Sequence, residues 1–396
     1  SGASVGNDTA PFQNTQTFQL NGNYGSNFRV TNETVLKNTN LKPERLDAYE
    51  GGVEAWFLNG RLQFEGSVYQ NVSKDQIISR PVSNASGFNS FNENGGKIRT
   101  RGLELMLSAS PIKTSDFKWN TAVNFSTFKS VVTELPSGVD QFVTATASVF
   151  SGSGGSNTVF FIAREGGQVG DMYGTGFVQI DGQNLFDANG LPVQDANLRR
   201  LGNYSPDFTL GFNNQFSYKN FDVTILFDWR QGGTIVSRIK ALGSTSGVLK
   251  ETLLGREGGS DSTPFVDGNG VVGEGVVNVG TTENPQYVPN TTAVAASRFN
   301  NAFFDRGNEA SALYDASYVK LRQLSVYYTF PERMAKSIGT ENLQIGLIGS
   351  NLLLFTENPH FDPELNAFQE RNIVYGVEDF SYPSTRSFGV SLKTNF

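Results

Sequence analysis

Cysteine is absent from the 396 residues, and histidine occurs once, at His360. No thiol nucleophile, disulfide framework or Cys/His zinc site can be built from such a chain. A Ser-His-Asp triad would have to use His360. Charge is scarce at 17%, and the net balance is −7. This diffuse acidity lacks the basic face that nucleic acid requires, so nucleic acid is not expected as a partner. No run approaches the ~18 consecutive apolar residues of a membrane-crossing helix. Position 1 is Ser, and no basic-then-apolar leader follows it. The sequence is therefore expected to be a processed product or a piece of something longer. Helical periodicity is nearly absent as well.

What is present is glycine (43 residues), phenylalanine (32) and period-two alternation. Over 46–57, Tyr49, Gly51, Val53, Ala55 and Phe57 share one face, opposite Glu50, Gly52, Glu54 and Trp56. Asn59-Gly60 then marks a short hairpin, because both residues tolerate positive φ. The next run sets Leu62, Phe64, Gly66 and Val68 against Gln63, Glu65, Ser67 and Tyr69. The same plan recurs around Leu103–Ala109, with Glu104 on the polar face, and around Trp119–Phe125, with Lys118. It returns at 208–216 and at 221–230, where Asp222, Asp228 and Arg230 oppose Phe221, Val223, Ile225, Phe227 and Trp229. Three further runs, near 314–330, 341–355 and 386–396, bring the expected total to about nine strands. Several are far longer than the usual ~5–6 residues.

The links alternate too. Short ones fall at 58–61, 111–116, 219–220 and 331–341. Long ones fall at 79–94, 134–206, 233–312 and 356–385. All long loops thus emerge at one end of an up-and-down sheet, which is the layout of an outer-membrane barrel. Aromatic rows eight residues apart, from Tyr49 to Phe57, Phe221 to Trp229 and Phe388 to Phe396, span roughly 26 Å along a strand. With a ~40° tilt that is about 20 Å vertically, near the ~25 Å height of a lipid-facing band with two aromatic girdles. A soluble sandwich explains the alternation but neither the strand length nor the one-sided loops. Lipid offers no hydrogen bonds, so the apolar face points outward. Glu50, Glu54, Glu65, Glu104, Lys118, Asp222, Asp228 and Arg230 are then candidate lumen residues. The fold class is all-β, a transmembrane antiparallel barrel. Residues 1–45 are expected as an extracellular loop region, and 46–396 as the barrel portion. Nine is odd, whereas bacterial single-chain barrels carry even numbers, so earlier strands are expected to be missing.

Particular blocks carry a family resemblance. They are Asn40-Leu41-Lys42-Pro43-Glu44 with Tyr49-Glu50-Gly51-Gly52-Val53-Glu54, Gly102-Leu103-Glu104-Leu105, Arg164-Glu165-Gly166-Gly167, Leu201-Gly202-Asn203-Tyr204-Ser205-Pro206-Asp207-Phe208, Arg230-Gln231-Gly232-Gly233, Ala316-Ser317-Tyr318-Val319-Lys320-Leu321-Arg322 and Ser350-Asn351-Leu352. In this order the chain resembles the C-terminal part of the SusC-like TonB-dependent transporters of Bacteroidota, of the RagA/SusC type. The resemblance implies a 22-stranded barrel with an N-terminal plug outside this chain. It also implies import of oligosaccharides, peptides or other large nutrients, powered through TonB-ExbB-ExbD acting on the missing N-terminal region, with a SusD-like surface lipoprotein as lid. No cofactor and no catalysis are implied. The rival reading keeps the same barrel as a structural subunit of a larger envelope complex, since fold does not settle function. An outer-membrane enzyme is the weakest reading, because His360 has no companion.

Residues are also weighed singly. His360 and Phe361 sit in a long loop and read as surface or partner contacts. Arg298, Phe299, Phe303 and Phe304 lie in the loop 233–312, too long for a mere connection, and are candidate ligand or partner contacts. Asp181, Asp187, Asn189 and Asp195 invite comparison with a calcium loop, but Leu185 interrupts the pattern and Asn189-Gly190 suits a plain turn; no metal is expected. Finally, Phe388, Val390, Leu392 and Phe396 resemble the terminal signal read by the barrel assembly machinery, as an edge strand able to add to another sheet.

Overall fold

A computed structural model describes residues 2–4, 14–148, 158–256, 270–304, 308–369 and 372–395. Its frame is a ten-stranded antiparallel sheet. Nine members are long: β1 (Glu44–Phe57), β2 (Leu62–Lys74), β3 (Lys97–Lys113), β4 (Phe117–Glu134), β5 (Phe208–Tyr218), β6 (Phe221–Gln231), β7 (Tyr318–Thr329), β8 (Asn342–Thr356) and β9 (Ser387–Asn395). Each pairs with its neighbour in sequence, giving an up-and-down meander. The tenth, Gly2–Ser4, pairs with the start of β1, Ala3 opposite Arg45. The tightest links join β1 to β2, β3 to β4 and β5 to β6. At the first, Asn59 and Gly60 take φ of 54° and 80°, and the Gly60 and Arg61 amides donate to Phe57 and Leu58.

Alternation sorts the side chains into two faces. On the apolar face Tyr49, Val53, Phe57, Val68, Phe221, Trp229, Leu347 and Phe355 are all exposed. So broad an apolar surface is untenable in water and suited to lipid. Aromatic rings gather at its two ends. Phe208 packs on Trp229 (5.1 Å) and Phe125 (5.5 Å) toward the long loops. Phe221 with Tyr328 (4.8 Å) and Trp119 with Phe216 (5.8 Å) sit toward the short turns. An amide side chain is embedded among the apolar ones. Asn214 is 5% exposed, and the Trp119 Nε1–H donates to its Oδ1 at 3.1 Å.

The long connections fold on each other into a cap. Gln141–Ser148, Thr158–Arg164, Asp171–Phe177 and Gln194–Asn203 form a four-stranded sheet. Two eight-residue helices follow, α1 (Arg238–Thr245) and α2 (Ala296–Phe303); the Ser237 hydroxyl caps α1 by accepting from the Lys240 amide. Val159, Met172, Val236, Ala241, Ala312, Ala367 and Val377 form its core. They come from three different long loops, so burial of apolar surface couples those loops into one unit. Phe186, Val271, Val294, Ala296 and Phe299 make a second cluster. Within residues 1–45, where little alternation is visible, Phe18–Tyr24 and Asn27–Asn32 pair as a hairpin.

Candidate functional site

The register places Glu50, Glu54, Glu65, Glu104, Lys118, Asp222, Asp228 and Arg230 on the polar face together. One row runs straight across the sheet through paired residues: Glu54, Glu65, Met106, Asn124, Gly211, Asp228 and Lys320. The adjoining row passes through Ser67, Glu104, Ser126, Thr209 and Arg230. All of these but Lys320 and Arg230 line a recess of about 570 Å³. Glu54 and Glu65 face each other directly, and the Gln63 amide donates to both, at 3.2 Å and 2.6 Å. A neutral donor so placed eases a like-charge pair that would otherwise be unfavourable.

Toward the cap, this face ends in a packed ion cluster. Lys320 is 1% exposed, and its Nζ lies 2.7 Å from both carboxylate oxygens of Asp362 in the loop after β8. It also contacts Glu364. The Arg322 guanidinium donates to Asp228 of β6 through Nε at 3.0 Å and to Glu364 through Nη1 at 2.7 Å. The Tyr318 hydroxyl donates to Glu364 at 2.9 Å. A β-bulge makes this possible. Leu226 pairs with Gln323 but Phe227 pairs with Leu321, leaving Arg322 unpaired between them. Bulges re-aim side chains; here Arg322 joins Tyr318 and Lys320 while Leu321 and Leu324 stay with the apolar residues Phe227 and Ile225. Burial alone would raise the Glu364 carboxyl. The hydrogen bonds from Arg322 and Lys320 outweigh it and hold Glu364 at about 2. Asp362 is likewise lowered, burial being overcome by hydrogen bonds from Lys320 and Ser384.

A long-stranded meander with an apolar outer face, a polar inner face and loops massed at one end is a barrel wall. The family described as "TonB dependent receptor-like, beta-barrel" matches residues 9–230, more than half of the sequence. The chain belongs to this family. It is similar to TonB-dependent receptor P3 of Formosa agariphila, 29% identical in an alignment 389 positions long that covers 92% of this chain and 35% of that protein. TonB-dependent receptor SusC of Bacteroides thetaiotaomicron is 27% identical over 215 residues, 50% of this chain and 20% of that one. The fold matches the solved RagAB peptide transporter with a TM-score of 0.66 at 20% identity, over 98% of this chain and 39% of that chain. The RagAB importer in the "open-open" state gives 0.67 at 18% identity, over 100% of this chain and 39% of that one. The chain thus spans about a third of the length of P3. It is a portion of an outer-membrane β-barrel of the TonB-dependent receptor family.

Of the loop residues singled out from sequence, Phe299 and Phe361 turn inward, which corrects the expectation that these two are ligand or partner contacts. Phe299 is 8% exposed and belongs to the second loop cluster. Phe303 stacks on it at 5.5 Å and meets Phe177 at 4.9 Å and Phe304 at 5.1 Å. Arg298, on the opposite side of α2, stays exposed. Phe361 is buried against Ile235 and Ala316. His360 is also largely enclosed, its Nε2 lying 2.8 Å from Glu251 Oε1, so it ties two long loops together. Asp187 closes a turn, its Oδ1 accepting from the Asn189 and Leu191 amides with Gly190 at φ 75°. Phe388, Val390 and Leu392 are exposed on the apolar face of β9; Phe396 lies outside the described residues. The reading by residue type missed Lys320, Arg322, Asp362 and Glu364. A signal was there in Leu321-Arg322-Gln323-Leu324, where two consecutive polar residues break the alternation.

Proposed function

We propose that this chain supplies part of the wall and the mouth of a TonB-dependent importer of large nutrients, oligosaccharides or peptides, with residues 46–396 as barrel and the long loops outside the cell. The observation that carries this reading is the row across the inner face from Glu54 to Lys320, with five polar or charged residues among its seven, which ends at the cap the loops build. A polar wall lets a hydrated solute pass. A cap tied to that wall by Lys320 and Arg322 gives the passage a structured entrance. A SusD-like lipoprotein closes that entrance, TonB-ExbB-ExbD acts through a plug carried elsewhere in the protein, and the assembly machinery inserts the barrel through β9. No bond is made or broken, in keeping with the missing cysteine and the enclosed His360.

The test is growth and uptake on defined oligomers by cells lacking the full-length gene. The proposal expects loss of uptake of at least one oligosaccharide or oligopeptide, restored by the intact gene. Unchanged uptake of every oligomer tested contradicts it and favours the structural-subunit alternative.

A further inference from the structure

The lipid-facing side changes character on β1–β4 as those strands approach the cap. Val68, Leu103 and Thr127 pair across β2, β3 and β4 in the last row without charge. Two residues further on, the same face holds Tyr49, Gln70, Arg101 and Lys129. Asp47, Val72, Arg99 and Val131 make the row beyond, and Arg45, Lys74, Lys97 and Glu134 the row after that. Six cations therefore stand against two carboxylates on this part of the face. Both carboxylates are engaged, Asp47 by Arg45 at 3.0 Å and Lys74 at 2.8 Å, and Glu134 by Lys97 at 2.8 Å. Arg99, Arg101 and Lys129 have no ion pair among the described residues. At the same end of β5, β6 and β8 this face carries Phe208, Trp229 and Phe355 instead.

Arg101 and Lys129 are exposed and stand directly opposite each other. Like charges so placed repel, so the pair does not serve folding. The Arg101 Nε–H donates to Gln70 Oε1 at 2.8 Å, which fixes the guanidinium against β2. Depth identifies what lies outside. Two residues of strand are ~7 Å, or about 5 Å of height at a ~40° tilt. The headgroup layer beyond the hydrocarbon is roughly 5–8 Å deep. Arg101 and Lys129 fall within that layer, and Arg99 at its outer margin.

We propose that Arg99, Arg101 and Lys129 bind the phosphate headgroup of an anionic lipid in the leaflet on the cap side. The phosphate lies between Arg101 and Lys129, turning their repulsion into attraction, and accepts charge-assisted hydrogen bonds from the guanidinium. Its acyl chains run down the strands over Val68, Leu103 and Leu105. That apolar strip directly below the cations selects a lipid over a free anion, because only a ligand with chains can cover both. A lipid held there bridges β2, β3 and β4 where their long loops rise into the cap, and so braces the base of the cap. The site lies on the opposite side of the wall from the solute passage and stands whether or not the barrel imports a nutrient.

Native mass spectrometry of full-length protein in detergent counts the lipid bound when dioleoyl phosphatidic acid, dioleoyl phosphatidylcholine or glycerol 3-phosphate is added. The proposal expects phosphatidic acid to bind at least tenfold more tightly than phosphatidylcholine, as contact with two or three interfacial cations implies. Glycerol 3-phosphate should not be retained. Arg101→Gln combined with Lys129→Gln should abolish the preference, and Lys129→Gln alone, at an exposed side chain, should reduce it several-fold. Lys113→Gln, at the short-turn end of β3, should leave it intact. Phosphatidic acid should also raise the melting temperature of the unaltered protein and not that of the double variant. An undiminished preference in both variants, equal binding of the two lipids, or equally tight binding of glycerol 3-phosphate overturns the site. A double variant that binds phosphatidic acid as before but changes its oligomeric state marks the surface as a protein interface and overturns the proposal as well.

Discussion

The Lys320 ammonium bridges both oxygens of Asp362 at 2.7 Å, and the two side chains are only 2% and 4% exposed. A strand residue of the barrel wall is thereby pinned to a loop residue 42 positions later. Removing one partner of a buried pair leaves an uncompensated charge, which costs roughly 3–5 kcal/mol. Lys320→Met should therefore release the loop 357–386 and expose it to protease, with a lower melting temperature. Unchanged cleavage and melting would mean that the cap is held by its apolar core alone.

The same cluster sets a pH dependence. Glu364 sits at about 2 against an ordinary 4.5, and Asp362 is lowered too. A depressed carboxyl adds stability that is present above the unfolded value and lost as pH falls through the folded one. The loop should stay docked down to about pH 4.5 and loosen between there and pH 2. Hydrogen exchange of 357–386 across that range checks this. Release on the alkaline side, between pH 6 and 8, would contradict it.

On the apolar face, Ile225 lies midway between Phe221 and Trp229 and pairs with Asn214 and Leu324. Ile225→Arg should cost about 2–4 kcal/mol near the bilayer midplane. Thr224→Arg, one residue along and on the polar face, should cost far less. Folding titrations into lipid vesicles compare the two. Equal costs would undo the assignment of faces.

Asn214 has Trp119 as its hydrogen-bonding neighbour on that apolar face. Trp119→Phe should cost roughly 1–3 kcal/mol by leaving the amide without this donor. Trp119→Phe combined with Asn214→Leu should recover most of the loss. A double mutant no better than the single one would show that the tryptophan acts by bulk.

The nine long strands were legible because each reports on itself: Phe221 to Trp229 alternates whatever lies beside it. Glu54 and Asp228 could be placed on the polar face for the same reason. The cap was not legible, because Val159, Val236 and Val377 acquire a common core only when three loops meet. Phe299 and His360 show the cost of judging loop residues by type. An aromatic ring and an imidazole in a long loop suggest contact with a partner, whereas here they pack against Phe186 and Glu251. Lys320 was hidden for a related reason, since its partners Asp362 and Glu364 lie across a turn of chain that no periodicity predicts.

The central claim, a polar lumen wall backed by a lipid-facing one, is tested most directly by cysteine scanning. Single cysteines at positions 222 to 227 of β6, in full-length protein in lipid vesicles, would be labelled with a membrane-impermeant maleimide. Replacements of Asp222, Thr224 and Leu226 should label readily, and those of Val223, Ile225 and Phe227 should resist. Uniform labelling, or the opposite phase, would contradict the account.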